Sequence, residues 1–317
     1  MILNSITTHY PFYMTGPTAS GKSGIALALA ERIGGEVVNA DAFQLYRGLD
    51  VVTAKPPRAE RERVPHHLYD VLEAEEHCDA QRFRNLALPV IAEIAERGKW
   101  PIMVGGSGLY IKALSHGLAD LPAGDEALRV ELRALPLEEK VRRLLELDPA
   151  AEGNVPLANP RYVERALEIC LLTGQPQSVL RKTFEGVEPW GFGVVLTWER
   201  EALYARINQR VLEMLEAGAL DEVAAFTGGG GLEKAIGVRD LKAYLAGDCS
   251  LSEATEAMQQ ATRNYAKRQE TWFRRERWLQ TICLNSSSTP DSALCQILAL
   301  FPCLKTPPSP PIPSTSI

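Results

Sequence analysis

The chain has 317 residues, 45% hydrophobic and 23% charged, which suits a globular protein with one large core and room for a smaller second domain. A formal net charge of −6 excludes a protein that coats nucleic acid indiscriminately, though not one with a local basic groove. No stretch resembles a membrane span or a secretory signal, and the six cysteines form no C-x-x-C pair, so reduced thiols and a cytoplasmic location are expected.

Tyr10–Thr15 predicts a short buried strand, and Ser23–Ile33, rich in Ala and Leu, predicts a helix stopped by Gly34-Gly35. Between them, Gly16-Pro17-Thr18-Ala19-Ser20-Gly21-Lys22-Ser23 is a complete G-x-x-x-x-G-K-S phosphate-binding loop. Its glycines let successive N–H groups turn inward around an anion, and the helix that follows directs its positive end to the same point. Lys22 supplies a charge for the outer phosphate, and the Ser23 hydroxyl suits a Mg²⁺ ion. A diphosphate or triphosphate ligand follows.

Glu36–Ala40 reads as a second strand ending at Asp41, residues 79–97 as an amphipathic helix, and Pro101–Val104 as a third strand closing on Gly105-Gly106-Ser107-Gly108. This alternation predicts an α/β fold, a parallel sheet flanked by helices, with ligands gathered beyond the carboxyl ends of the strands. From Leu118 to about residue 190 the pattern turns helical, with a charged stretch at 125–147 and a helix at Arg161–Thr173, and is read as an inserted all-helical domain. A strand at Gly193–Thr197 resumes the core, followed by a long helix over 199–226 that breaks near Gly218 and another over Leu251–Trp278. The expected division is therefore 1–117 and 191–285 for the core, 118–190 for the insertion, and 286–317 for a disordered Ser/Pro-rich tail. Residues 263–277 carry six cations against two carboxylates, a net +4. Arg263, Lys267, Glu270, Arg274 and Arg277 are placed on one helical face, suited either to a nucleic-acid backbone or to a solvated surface. Tyr265, Trp272 and Phe273 are read as core anchors.

The phosphate loop together with Asp41-Ala-Phe-Gln-Leu-Tyr-Arg-Gly-Leu-Asp-Val-Val-Thr-Ala-Lys-Pro56 resembles the tRNA dimethylallyltransferases, also called tRNA isopentenyltransferases. The resemblance continues in order through Pro65-His66-His67-Leu68-Tyr69-Asp70, Gly105–Tyr110, Arg165-Ala-Leu-Glu168, Arg206-Ile-Asn-Gln-Arg210, Ala235-Ile-Gly237 and Thr262–Arg274. It implies a bacterial-type enzyme moving a dimethylallyl group from dimethylallyl diphosphate to N6 of the adenosine immediately 3′ of the anticodon. Mg²⁺ would be the cofactor, tRNA the partner, and the protein a monomer.

By the same resemblance Asp41 is the general base, with a structural or Mg²⁺-linked carboxylate as the alternative. Lys22 and Arg206 would stabilise charge on the leaving diphosphate, a helix-surface ion pair being the alternative for Arg206. Asp41, Ala42, Phe43 and Gln44 would line the path of the extruded base, which must leave its stack before reaction. Ser107, Arg129, Arg161, Arg165, Arg239, Arg263, Lys267 and Arg274 would contact tRNA. Departures from the family pattern are Ala42 for a usual Ser, Ser107 for Thr, Tyr162 where an arginine is common, and Val238-Arg239 for Tyr-Lys. Two other classes use the same loop: a nucleotide or small-molecule kinase, and an isopentenyltransferase acting on free AMP or ATP.

Overall fold

The computed structural model describes residues 10–118, 121–122, 124–181 and 187–308. Among them, six strands form one all-parallel sheet in the order β3-β2-β4-β1-β5-β6. They are β1 (Phe12–Thr15), β2 (Glu36–Asn39), β3 (His66–His67), β4 (Pro101–Gly105), β5 (Phe192–Trp198) and β6 (Leu279–Leu284). β1, β2 and β4 are buried along their whole lengths, as parallel strands covered on both faces must be. The chain runs from β1 outward to β2 and β3, returns to β4 beside β1, and then crosses to β5 on the other flank. That reversal opens a crevice beyond the carboxyl ends of β1 and β4.

Helices α1 (Lys22–Ile33), α2 (Arg58–Arg61), α3 (Ala80–Glu96) and α4 (Gly108–His116) connect the first strands. α1 buries Ile25, Ala26, Leu27, Leu29 and Ala30 against Phe12, Met14, Ile102, Val104 and Val194 of the sheet. The chain divides into two compact units, one of residues 1–115 with 189–317 and one of residues 116–188.

The smaller unit holds α5 (Glu126–Ala134), α6 (Leu137–Leu147), α7 (Ala151–Asn154), α8 (Pro160–Thr173) and α9 (Gln177–Arg181). Its own core packs Leu132, Leu144, Val155, Val163, Ala166 and Leu167. Pro136 separates α5 from α6, so the charged stretch at 125–147 is two helices.

The larger unit continues with α10 (Arg200–Glu216), α11 (Ala219–Ala225), α12 (Val238–Leu245), α13 (Leu251–Phe273) and α14 (Pro290–Leu300). The break between α10 and α11 falls at Gly218, φ 94°.

Two sequence expectations need correction. The helix expected to reach Trp278 ends at Phe273, because the Trp278 ring packs edge-on against buried Tyr13 at 5.1 Å and draws the chain back to the sheet as β6. The tail expected to be disordered from 286 forms α14 and a short 3₁₀ turn at Pro302–Lys305. Thr289 caps α14 reciprocally with Ser292, and Ala293, Ile297, Phe301 and Leu304 sit in the sheet core beside Phe12 and α1. Residues 309–317, with the last prolines, lie outside the described residues. None of the described helices is long and apolar enough to cross a membrane.

Candidate active site

The segment 16–23 leaves β1 and enters α1 through Gly21, φ 88°. Gly16 takes φ 140°, and a Cβ there would stand 2.5 Å from the Leu196 carbonyl oxygen of β5, so no larger residue fits. Ala19 adopts φ 62°, a left-handed conformation that only a well-braced loop sustains.

The bracing comes from distant elements. Gln269 of α13 accepts the Thr18 N–H at 2.8 Å and donates to the Gly106 carbonyl at 3.0 Å, so one buried amide ties the exits of β1 and β4 together. A Cβ on Gly106 would collide with that amide. Trp198 donates its indole N–H to the Ser20 carbonyl at 3.1 Å. Arg206 Nε donates to the Ala19 carbonyl at 2.9 Å while its guanidinium lies over the Trp198 ring at 4.3 Å. Thr18 and Ser20 have committed their N–H groups to Gln269 and to the Pro17 carbonyl, so the anion cradle rests on the open first turn of α1, Lys22 and Ser23 included.

Two adjoining chambers open beyond the strand ends and share Thr18, Asp41, Thr53, Ala54 and Arg210. The second is polar, with Lys22, Ser23, Gln44, Tyr69 and Gln269. The first is mainly apolar, walled by Phe43, Val52, Ile207, Met214, Met258 and Tyr265.

Asp41 stands at their junction. Its N–H donates to Asn39 Oδ1 at 2.8 Å and its Oδ1 accepts the Phe43 N–H at 3.1 Å, which fixes the carboxylate. Burial raises its pKa above the usual range, opposed by the Phe43 N–H and by the charges of Lys22 and Arg210. Burial, and then repulsion from Arg210, brings the Lys22 ammonium down to about 7, with Asp41 opposing. Lys22 Nζ donates to the Pro17 carbonyl at 2.6 Å, and Arg210 reaches Thr18 Oγ1 at 3.3 Å. Two half-buried cations, a helix N-terminus and one carboxylate with a raised pKa are together suited to an anion beside a base.

Residues 44–276 match the model of the IPP transferase family. A tRNA dimethylallyltransferase from Geobacter metallireducens is 44% identical over 297 residues, 90% of this chain and 96% of the relative. The chain belongs to the IPP transferase family.

Two solved members have the same architecture. A full-length tRNA isopentenylpyrophosphate transferase from Bacillus halodurans superposes with a TM-score of 0.69 at 35% identity, covering 94% of this chain and 97% of its own. A eukaryotic dimethylallyltransferase acting on tRNA gives 0.81 at 26% identity, covering 96% and 81%.

In this IPP transferase the residues expected from sequence do not all meet at one place. Asp41, Phe43, Gln44, Lys22, Ser23 and Thr18 line the chambers. Gln44 donates to the Thr53 and Ala54 carbonyls, each at 3.0 Å, so its amide nitrogen is already engaged within the protein. Ser107 accepts the Ala42 N–H at 3.0 Å, which gives its hydroxyl a task in holding the Asp41 loop. Arg206 is folded onto the phosphate loop through the Ala19 carbonyl and the Trp198 ring.

Arg129, Arg161 and Arg165 belong to the smaller unit. There Glu168, 1% exposed, holds Arg129 Nε at 2.9 Å and Arg165 NH1 at 2.5 Å and accepts the Asp125 N–H at 2.9 Å. Burial would raise the Glu168 carboxyl, but Arg165, the Asp125 N–H and Arg129 together hold it below the ordinary range. Arg161 is exposed beside Tyr162, and Arg239 is exposed in the first turn of α12.

The basic run needs correction. Arg274 is the C-cap of α13 and Arg277 lies past its end, so the five residues do not form one helical face. Arg263 is engaged with Asn208 at 2.5 Å and Gln260 at 2.8 Å, while Lys267 and Arg274 are exposed.

Sequence reasoning assigned no role to Arg210, Gln269, Thr53 or Glu168, and read Tyr265 as a core anchor although it faces the apolar chamber. Arg210 did carry a signal. It lies one turn after Arg206 on the same helix face.

Proposed function

We propose that the protein transfers the dimethylallyl group of dimethylallyl diphosphate to N6 of the adenosine immediately 3′ of the anticodon in tRNA. One observation carries this reading: Asp41, raised in pKa, stands at the junction of a cationic chamber and an apolar one. A hydrolase would need only the first. Transfer to a base needs an anion site, a dry wall for an allyl group and a planar acceptor, and a carboxylate where they meet.

The diphosphate lies against the first turn of α1, with Lys22, Arg206 and Arg210 supplying positive charge. Mg²⁺ fits the oxygen donors that the chamber presents, the Ser23 hydroxyl first, with the substrate phosphates completing the set. The described residues hold no group of three His, Cys, Asp or Glu side chains that would make an all-protein site. When bound, the ion adds charge stabilisation for the leaving diphosphate.

The adenine, extruded from the anticodon loop, brings its amino group to Asp41, with Phe43 and Tyr265 as flat apolar neighbours. Its N6 lone pair attacks C1 of the allyl group, the C1–O bond breaks with its electron pair leaving on diphosphate, and one N6 proton passes to Asp41. Exposed Arg161, Arg239, Lys267 and Arg274 are offered to the tRNA backbone. We place the reaction in the cytoplasm.

The test incubates the protein with dimethylallyl diphosphate, Mg²⁺ and either tRNA, AMP or ATP, and analyses nucleosides by mass. Prenylated adenosine from tRNA alone is expected. Product from free AMP or ATP alone, or phosphoryl transfer from ATP, would move the protein to another class.

A further inference from the structure

The segment from Asp41 to Asp70 contains an ion cluster around one buried ammonium that the chemistry above does not use. The Lys55 side chain is 1% exposed, and its Nζ donates to the Tyr46 carbonyl at 2.6 Å, the Gly48 carbonyl at 3.1 Å, and Asp50 Oδ1 and Asp70 Oδ1 at 2.5 Å each. Asp70 also accepts Arg61 NH1 at 2.7 Å. Five non-glycine residues among those described have positive φ. Ala19 is in the phosphate loop, and the other four, Leu49, Ala54, Leu68 and Asp70, lie in this loop or in the segment that closes it. Such conformations persist only where surrounding contacts over-determine them, and they gather at functional sites.

The loop is fastened at other points too. Gln44 holds the Thr53 and Ala54 carbonyls, and Glu222 of α11 accepts the Val51 N–H at 3.0 Å and the Val52 N–H at 2.9 Å. What this fastening presents is a wall. Thr53 and Ala54 border both chambers, beside Asp41.

We propose that Lys55 is a positioning residue for the transfer: its buried ammonium closes the 44–55 loop so that Thr53 and Ala54 stand as a rigid wall where the two substrates meet Asp41. This inference rests on the reading of the site given above. Without the ammonium, Asp50 and Asp70 repel each other across two unpaired carbonyls, and the strained turns lose their main restraint. The phosphate loop is braced separately by Gln269, Trp198 and Arg206, so diphosphate binding survives. Alignment of the reacting atoms does not.

The experiment compares full-length wild type with Lys55→Met, and with Asp50→Asn as the milder variant, since Asp50 is 53% exposed. Three quantities are read: inorganic pyrophosphate affinity with Mg²⁺, the single-turnover rate of prenyl transfer to tRNA, and amide hydrogen exchange at residues 51–54. For Lys55→Met the expected result is pyrophosphate affinity within about twofold of wild type, a rate about 100-fold lower, and exchange at least about tenfold faster. For Asp50→Asn a rate about fivefold lower with the same unchanged affinity is expected. A folded Lys55→Met protein with a near-wild-type rate, unchanged exchange, or parallel loss of pyrophosphate binding overturns the proposal. Should Lys55→Met fail to fold, wild-type rate and exchange in Asp50→Asn overturn it instead. A wild type without transfer defeats the parent reading; a transferring wild type with an indifferent variant defeats only this one.

Discussion

Asp41 and Lys22 are displaced toward each other's range by the same cause, burial in a shared cavity, and each makes a measurable demand. Asp41→Asn should lower the single-turnover transfer rate by about two to four orders of magnitude while pyrophosphate still binds. The base must be ionised, so the wild-type rate should rise with pH through the raised Asp41 pKa, and Asp41→Asn should lose that limb. For Lys22 the sign is opposite. Its ammonium sits at about 7 in the free protein, and a bound polyanion restores it toward the ordinary lysine value. Binding therefore takes up a proton above pH 7, and pyrophosphate affinity should fall as pH rises from 7 to 9, by at most about tenfold per unit. Titration calorimetry in buffers of different ionisation enthalpy would detect that proton, and Lys22→Met should bind weakly with no such dependence. Both residues were legible in the sequence because each belongs to a contiguous motif. Arg210 closes the Arg206–Arg210 motif, yet nothing local says that its guanidinium reaches Thr18.

At the scale of elements, α14 shows how composition can mislead. The Ser and Pro runs on either side dominate any average over 286–317, yet Thr289, Pro290 and Ser292 make a helix start, and Ala293, Ile297 and Phe301 recur every four residues. Those side chains close one face of the sheet core, so removing the segment exposes Phe12 and α1 rather than trimming a loose end. Ile297→Ala should cost about 2–5 kcal/mol, seen as a lower urea midpoint with little change in slope, and deleting 289–308 should cost more. An unchanged midpoint would return the segment to the status of a dispensable tail. The end of α13 teaches a related lesson. Helical periodicity continued past Phe273 on paper, but the pull of the Tyr13–Trp278 contact ended the helix and made β6.

For the molecule as a whole, a net charge of −6 coexists with exposed cations at Arg161, Arg239, Lys267 and Arg274, so tRNA affinity should depend on where charge sits and not on its sum. Arg274→Ala should weaken tRNA binding and reduce the slope of log affinity against log salt by about one, without altering pyrophosphate affinity. An unaltered slope would leave Arg274 a solvated surface residue. The sequence by itself determined the anion-binding loop, the carboxylate at the second strand's exit, the parallel α/β class and the family. Those features are written in short runs whose local geometry follows from residue type. The tertiary structure alone decided that Gln269 braces Thr18 across 251 residues and that Arg210 reaches it across 192. It also decided that Glu168 holds two arginines otherwise read as free for tRNA. Parallel crossovers bring distant segments to one end of the sheet, and even where spacing marks a residue, as it does Arg210 one turn after Arg206, it does not name the partner across such a separation.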